Sequence, residues 1–178
     1  MGIQRSQRRI AETRLQAVAA DLLDASTLCA IATASRSGTP HINTAYFAWA
    51  PDLTLVWLSE PGARHSRNVR DTGSAAVAVF DSCRSWGNAD RGIQLFGSAR
   101  PAAGPAAERA RETYRRRFPD YRDDNFAAYR LYELRPARLK LFDEEKLGAA
   151  TFVTAKIARG RLSWERTEIY VRAGSARS

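Results

Sequence analysis

Arg64, His65 and Arg67 stand just after a Pro61-Gly62 break that ends a strand-like run, the one compact basic loop of this kind in the chain. Guanidinium and imidazolium groups held this close suit an anion, above all a phosphate, which rewards converging charge-assisted donors. An ordinary charged surface helix would carry the same residues. Other chemistries lack their residues. There is no GxGxxG after a strand and no GxxxxGK[ST], so neither a dinucleotide fold nor a P-loop is indicated. The only histidines, His41 and His65, lie in different local contexts without acidic residues at ligand spacing, which argues against a zinc or iron site. No GxSxG elbow offers a serine nucleophile. No residue stands out as a general acid or base, so no catalytic residue is assigned. What remains is a binding module, or an enzyme whose reactive group is a cofactor.

The elements that must position the basic loop are mostly short strands. Leu15, Val18 and Leu22 recur at helical spacing within Ser6 to Ala25, which predicts an amphipathic N-terminal helix. Thr27 to Ala34, the turn Ser35-Arg36-Ser37-Gly38, and Pro40 to Ala50 read as a hairpin. Pro51-Asp52 turns the chain into Leu53 to Ser59, dense in β-branched and aromatic residues. The basic stretch follows as a short helix. Ser74 to Asp81 is apolar nearly throughout, as a strand covered on both faces would be. Arg91 to Arg100 continues as a strand with Gly97 at a bulge or bend. Pro105 to Phe118 is a helix that Pro119 ends. Tyr129 to Phe142 is a strand whose Pro136 suits an edge or a bulge. Thr151 to Ala158 and Leu162 to Val171 form a hairpin around Arg159-Gly160-Arg161. Trp49, Trp57 and Trp86 read as core or interface aromatics.

Composition limits the class. With 44% hydrophobic and 26% charged residues the 178-residue chain is expected to fold as a single domain, 1–178, with an N-terminal helix in 1–25 and a C-terminal hairpin extension in 150–172. The formal charge of +9 comes almost wholly from arginine, and Lys occurs only at 140, 146 and 156. Such a balance attracts phosphates or nucleic acid, and the basic helix around Arg109, Arg111, Arg115, Arg116, Arg117 and Arg122 is where nucleic acid would bind. A solvated basic surface is the simpler reading, so no nucleic-acid partner is expected. Cys29 and Cys83 read as buried thiols in a reducing cytoplasm. No stretch approaches the roughly 18 apolar residues of a membrane span, and Met1 to Arg14 lacks the apolar centre of a signal peptide. A cytoplasmic protein without a membrane partner is expected.

Three pieces carry a family resemblance: CAIATASRSGTPHINTAYFAW, LTLVWLSEPGARHSRNVRDTGSAAVAVF and RGIQLFGSAR. In order and spacing they resemble the pyridoxamine 5′-phosphate oxidase-like FMN-binding split-barrel family. A coarser likeness continues through RETYRRRFP and YELRPARLKLFD. The resemblance implies a mainly β (α+β) fold, a split β-barrel of about six antiparallel strands with flanking helices. It implies a homodimer that holds FMN. Arg64 and His65 then inherit the grip on the FMN phosphate, with His65 where many members have Lys. Asn43, Thr44, Ala45 and Tyr46 lie along the flavin ring, Leu58 and Ser59 line the cofactor with the Ser59 hydroxyl on the phosphate side, and Gln94 reaches the flavin of the partner subunit.

Two departures bear on activity. The vitamin B6 oxidases of the family have a basic residue where Asn43 stands and a Lys where Ala48 stands, and their C-terminal Arg-x-His is not found. Oxidation of pyridoxamine phosphate itself is therefore disfavoured. The resulting expectation is an FMN-dependent oxidoreductase that transfers a hydride to or from an unidentified small molecule. The alternatives are a non-catalytic flavin- or haem-binding protein and a deazaflavin-dependent reductase.

Overall fold

The computed structural model describes residues 2–81, 83, 85–122, 124 and 127–171. Strict alternation builds its strands. In β2 (Leu28–Ala34) Cys29, Ile31 and Thr33 are buried while their neighbours are not, the signature of a strand with one covered face. In β3 (Pro40–Trp49), antiparallel to β2, alternation gives way to the buried pair Phe47 and Ala48. β4 (Leu55–Ser59) is buried except for Leu58, as its β-branched and aromatic content requires.

The strand order is β1-β9-β8-β7-β4-β3-β2-β5-β6, and β7 also pairs with β6. Here β1 is Gly2–Ser6, β5 Ser74–Phe80, β6 Arg91–Pro101, β7 Arg130–Asp143, β8 Thr151–Ala158 and β9 Arg161–Val171. The second β7 pairing closes strands β2 to β7 into a six-stranded antiparallel barrel, so the mainly β split barrel anticipated from the sequence is the observed fold. Pro136 sits in β7 between the ladder to β4, which ends at Leu134, and the ladder to β8, which starts at Arg138. A missing backbone donor is tolerated there because the strand is changing partners. Gly97 of β6 faces this point. An added Cβ would lie 2.1 Å from the Arg135 carbonyl oxygen and 2.7 Å from Pro136 Cα, so close approach of backbones excludes any side chain.

The chain forms two compact units. One comprises Thr27–Ala78 and Leu95–Ala137; the other comprises Val79–Gln94 with the flanking segments up to Ser26 and from Arg138. In the first, α3 (Pro105–Arg117) packs Ala110 and Tyr114 against Ala48, Val56 and Leu131. The helix α2 (Arg64–Thr72) ends on Gly73, whose φ of 65° forms a left-handed cap. It rests on β2 through a buried bond from Asn68 Nδ2 to Thr33 Oγ1 of 3.1 Å. In the second unit α1 (Glu12–Asp24) buries Leu15, Val18, Ala19, Leu22 and Leu23 and lies against β9. Arg8 links this unit's segments: its guanidinium donates to the Leu147 carbonyl at 2.7 Å and its carbonyl accepts from Thr167 Oγ1 at 2.7 Å. Among the described residues no helix is long and apolar enough to cross a membrane.

Several expectations need correction. The helix expected from Ser6 starts only at Glu12, because Gly2–Ser6 pairs with β9 as a strand. A short helix α4 (Glu144–Leu147), capped by the Asp143 side chain, was not anticipated. β5 is covered on one face only: Ala76 and Ala78 are half-buried and Phe80 is exposed, so its small apolar residues reflect an open outer wall. Cys83 is exposed, and only Cys29 is buried. Trp86 is fully exposed in a loop, whereas Trp57 is core, stacked on Tyr132.

Candidate functional site

The break after β4 is where the chain assembles a polar cluster. Glu60-Pro61-Gly62-Ala63 turns on the bond from Ala63 N to the Glu60 carbonyl, 3.1 Å, and launches α2 at Arg64. No side chain caps the first turn of α2, which leaves backbone donors and the positive end of the helix dipole there. The second and third residues of the helix, His65 and Ser66, are buried against Ser59, the last residue of β4. Ser59 Oγ lies 2.6 Å from His65 Nε2, and Ser66 Oγ donates to Ser59 Oγ at 3.1 Å.

Ser59 Oγ also donates to the Glu60 carbonyl at 3.4 Å, so this one hydroxyl joins His65, Ser66 and the turn that follows β4. Electrostatics disfavour the charged ring. Burial lowers the His65 pKa below its ordinary value, and the ring of His41, near-parallel at 6.2 Å between centroids, pushes the same way. The two histidines, which the sequence places in unrelated contexts, are thus neighbours. Their positions are set by the packing of α2 on β2 and β3.

This cluster forms one end of an open cleft of about 630 Å³ within the first unit, inside the range of roughly 300–1,000 Å³ typical of small-molecule sites. Its floor is the edge of β3, with Asn43, Thr44, Ala45 and Tyr46. Leu58, Ser59, Ala63 and His65 make the polar end. The opposite wall is aromatic: Tyr114, Phe118, Tyr121 and Tyr129 come from α3 and the segment after it. Tyr114 packs on Phe118 at 4.8 Å and edge-on to Tyr121 at 5.2 Å, while Phe118 meets Tyr46 edge-on at 5.9 Å. Burial, then the neighbouring Tyr46 and Cys29, push the Tyr114 phenol up to about 12, so it stays neutral and an able donor. The charged lining residues are Glu60 and Asp120, both exposed.

Seven of the nine cofactor positions expected from the sequence therefore come together: Asn43, Thr44, Ala45, Tyr46, Leu58, Ser59 and His65. Arg64 is exposed at the start of α2, beside the cluster in sequence but not lining the cleft. Gln94 is exposed on β6 and does not line it either. The sequence reading missed the aromatic wall. The signal was present, since Tyr114, Phe118 and Tyr121 recur at i, i+4 and i+7, one helical face continued past Pro119. Among the described residues no group of three or more His, Cys, Asp or Glu could hold a metal ion.

A closed antiparallel barrel with a cleft between a strand edge, a helix N-terminus and an aromatic wall is a split barrel. The profile of the family described as pyridoxamine 5′-phosphate oxidase matches residues 15–143. The chain belongs to this pyridoxamine 5′-phosphate oxidase-like family. Among curated protein sequences none matches it. Solved structures resemble it in fold. A conserved hypothetical protein of Mycobacterium tuberculosis is 19% identical, with a TM-score of 0.63 over 82% of this chain and 92% of that one. A Clostridium acetobutylicum protein related to general stress protein 26, of the pyridoxinephosphate oxidase family, is 13% identical, with a TM-score of 0.60 over 83% and 97%. The haem storage protein HutZ from Vibrio cholerae is 15% identical, with a TM-score of 0.56 over 66% and 87%.

Proposed function

We propose that the protein is a homodimeric FMN-dependent oxidoreductase whose cofactor lies in the cleft of the first unit. The observation that carries this is the junction of a polar, uncapped helix start with a flat-walled cleft. Ser59, His65 and Ser66 converge at the N-terminus of α2, the arrangement an anionic tail needs, while the β3 edge and the tyrosine wall suit a planar ring. In this reading Ser59, His65 and the α2 backbone hold the phosphate, and Arg64 turns its exposed guanidinium to it. The β3 backbone and Asn43 orient the ring, and Phe118 and Tyr121 shield it from water. A bound flavin would supply the hydride chemistry. The protein's part is to bind, orient and exclude water.

The outer face of β2 and β3 supports the dimer in this reading. Leu28 stands opposite Tyr46, and Ala32 opposite Ile42, and further alanines follow on β5 opposite Ala30 and Ala32. Leu28, Ile42 and Tyr46 are 47%, 68% and 58% exposed, an open apolar wall that a second copy would cover. Thr44 and Tyr46 belong to both wall and cleft, so the second copy would also complete the cleft. A haem-binding role is the second reading, supported by the fold shared with HutZ. The deazaflavin coenzyme would occupy the same flat-walled cleft.

The absorption spectrum of the purified protein, followed by an FMN and riboflavin titration, tests these readings. Flavin bands and FMN binding at least tenfold tighter than riboflavin are expected. A Soret band on haem addition without flavin binding would overturn the flavin reading, and equal affinity for riboflavin would overturn the phosphate site.

A further inference from the structure

The hairpin of β8 and β9 lies beyond residues 15–143, the part that matches the family, so its features need a reason of their own. Within the second unit it joins β7 on one side and β1 on the other. Residues directly opposite each other in an antiparallel ladder share a face. One face of these strands is core, with Leu139, Leu141, Val153, Ala155 and Thr167 buried. The other is basic. Arg138 stands opposite Lys156, Lys140 opposite Thr154, Thr154 opposite Arg166, and Arg161 opposite Ala158 near the tip.

Two carboxylates reach this face without neutralising it. Glu165 pairs with Arg138 and Arg166, and Glu168 with Lys140 and Arg166. The side chains of Glu165 and Glu168 are 24% and 16% exposed and those of Arg138 and Arg166 52% and 40%, so solvent meets mainly the cations. Lys156 and Arg161 are exposed and have no ion-pair partner among the described residues. Three half-buried rings run across the same face, one per strand: Phe142 meets Phe152 at 5.3 Å, and Phe152 meets Tyr170 at 4.8 Å. Lys140 Nζ sits 4.7 Å from the Phe152 ring centroid, so cations and rings are interleaved. Between Lys140 and Arg166 the hydroxyl of Thr154, a residue only 2% exposed, has no hydrogen-bond partner. An unsatisfied buried hydroxyl flanked by two cations suits an anionic oxygen.

Rings on a sheet beside a track of cations are what single-stranded nucleic acid uses, since its bases stack and its phosphates take the charge. A duplex keeps its bases stacked on one another. The basic helix α3, by contrast, pairs Arg111 with Glu108 and Arg116 with Glu112 and turns its one ring, Tyr114, to the cleft. We propose that the basic face of β7, β8 and β9 binds single-stranded nucleic acid, with phosphates along Arg138, Lys156 and Arg161 and bases against Phe152 and Tyr170. This surface is independent of the cofactor in the first unit.

Fluorescence anisotropy of a labelled oligothymidylate of about 20 nucleotides, titrated with the full-length protein, tests this. Affinity roughly tenfold or more above that for a duplex of the same length is expected, falling steeply as salt rises from about 50 to 200 mM. The double variant Lys156→Gln with Arg161→Gln should lose roughly tenfold in affinity at the lower salt and show a shallower salt slope. Tyr170→Leu should weaken binding and keep the slope, because stacking releases no counterions. Circular dichroism checks the fold of each variant. Arg115→Gln, on exposed α3, should bind as the native chain does. Absence of saturable binding, equal affinity for the duplex, or displacement of the oligonucleotide by phosphatidylserine vesicles would overturn the proposal. So would a loss in Arg115→Gln as large as that in the hairpin variant.

Discussion

Ser59, the last residue of β4, and His65, in the first turn of α2, are joined by a bond of 2.6 Å between Oγ and Nε2, and both side chains are buried. The bond ties the end of a barrel strand to the start of a helix across the only Pro-Gly step in the chain.

Acid should destabilise the protein through this pair. Burial and His41 lower the His65 pKa in the folded state below the unfolded value of about 6.5. The unfolded chain then binds more protons than the native one in the window below 6.5, so stability falls as pH falls through about 6.5 toward the folded pKa. Urea midpoints for the native protein should drop between pH 7.5 and pH 5.5, and His65→Gln should flatten that part of the decline. An equal decline in both proteins would show that His65 does not carry it.

The same ring should couple FMN binding to protons. A phosphate beside His65 favours the imidazolium, so affinity should weaken as pH rises from 6 to 8.5. His65→Gln should lose this dependence over that range in a fluorescence-quenching titration.

Arg64→Ala should weaken FMN binding by roughly tenfold to a hundredfold, the loss of one charge-assisted contact of about 1.5–3 kcal/mol. Stability should change little, since the side chain is exposed. Arg36→Ala is the control for diffuse attraction by the net charge. Arg111, which the sequence reading treats as solvated surface, cannot serve as one, because it is half-buried and lines a recess that shares Leu58, Tyr121 and Tyr129 with the cleft. Equal FMN affinity in the Arg64 and Arg36 variants would count against the assignment of Arg64.

Gly97→Ala should destabilise by about 1–3 kcal/mol or more, the cost of overpacking. The added methyl has backbone on its near side, with the Arg135 carbonyl oxygen at 2.1 Å, and no flexible side chain can yield. A urea midpoint within error of the native protein would contradict the close approach of β6 to β7.

Ile42→Lys should leave the protein folded and monomeric. Ile42 is 68% exposed on the apolar wall, so a charge there costs the isolated chain little and a dimer much. Light scattering should read a dimer for the native chain and a monomer for the variant, with unchanged circular dichroism.

Much of this protein was legible in its residue order. Alternation in Cys29, Ile31 and Thr33, the dense apolar run of β4, and the Pro61-Gly62 step are local patterns, and local patterns report period, face and turn. They placed the barrel strands, α2 and α3 within a few residues, while the family resemblance singled out Asn43 to Tyr46, Ser59 and His65 on those elements, which do meet. What periodicity cannot report is the partner of a face. Phe80 of β5 looked covered because it is apolar, and only the closed barrel shows it on the outer wall. Gly2–Ser6 has no strong strand signal and becomes a strand because the β9 edge is there to pair with it. The contact of His41 with His65 and that of Tyr46 with Phe118 each join residues far apart in the chain. Such meetings depend on how α2 and α3 pack against the barrel, a sum of many weak contacts that no single segment encodes.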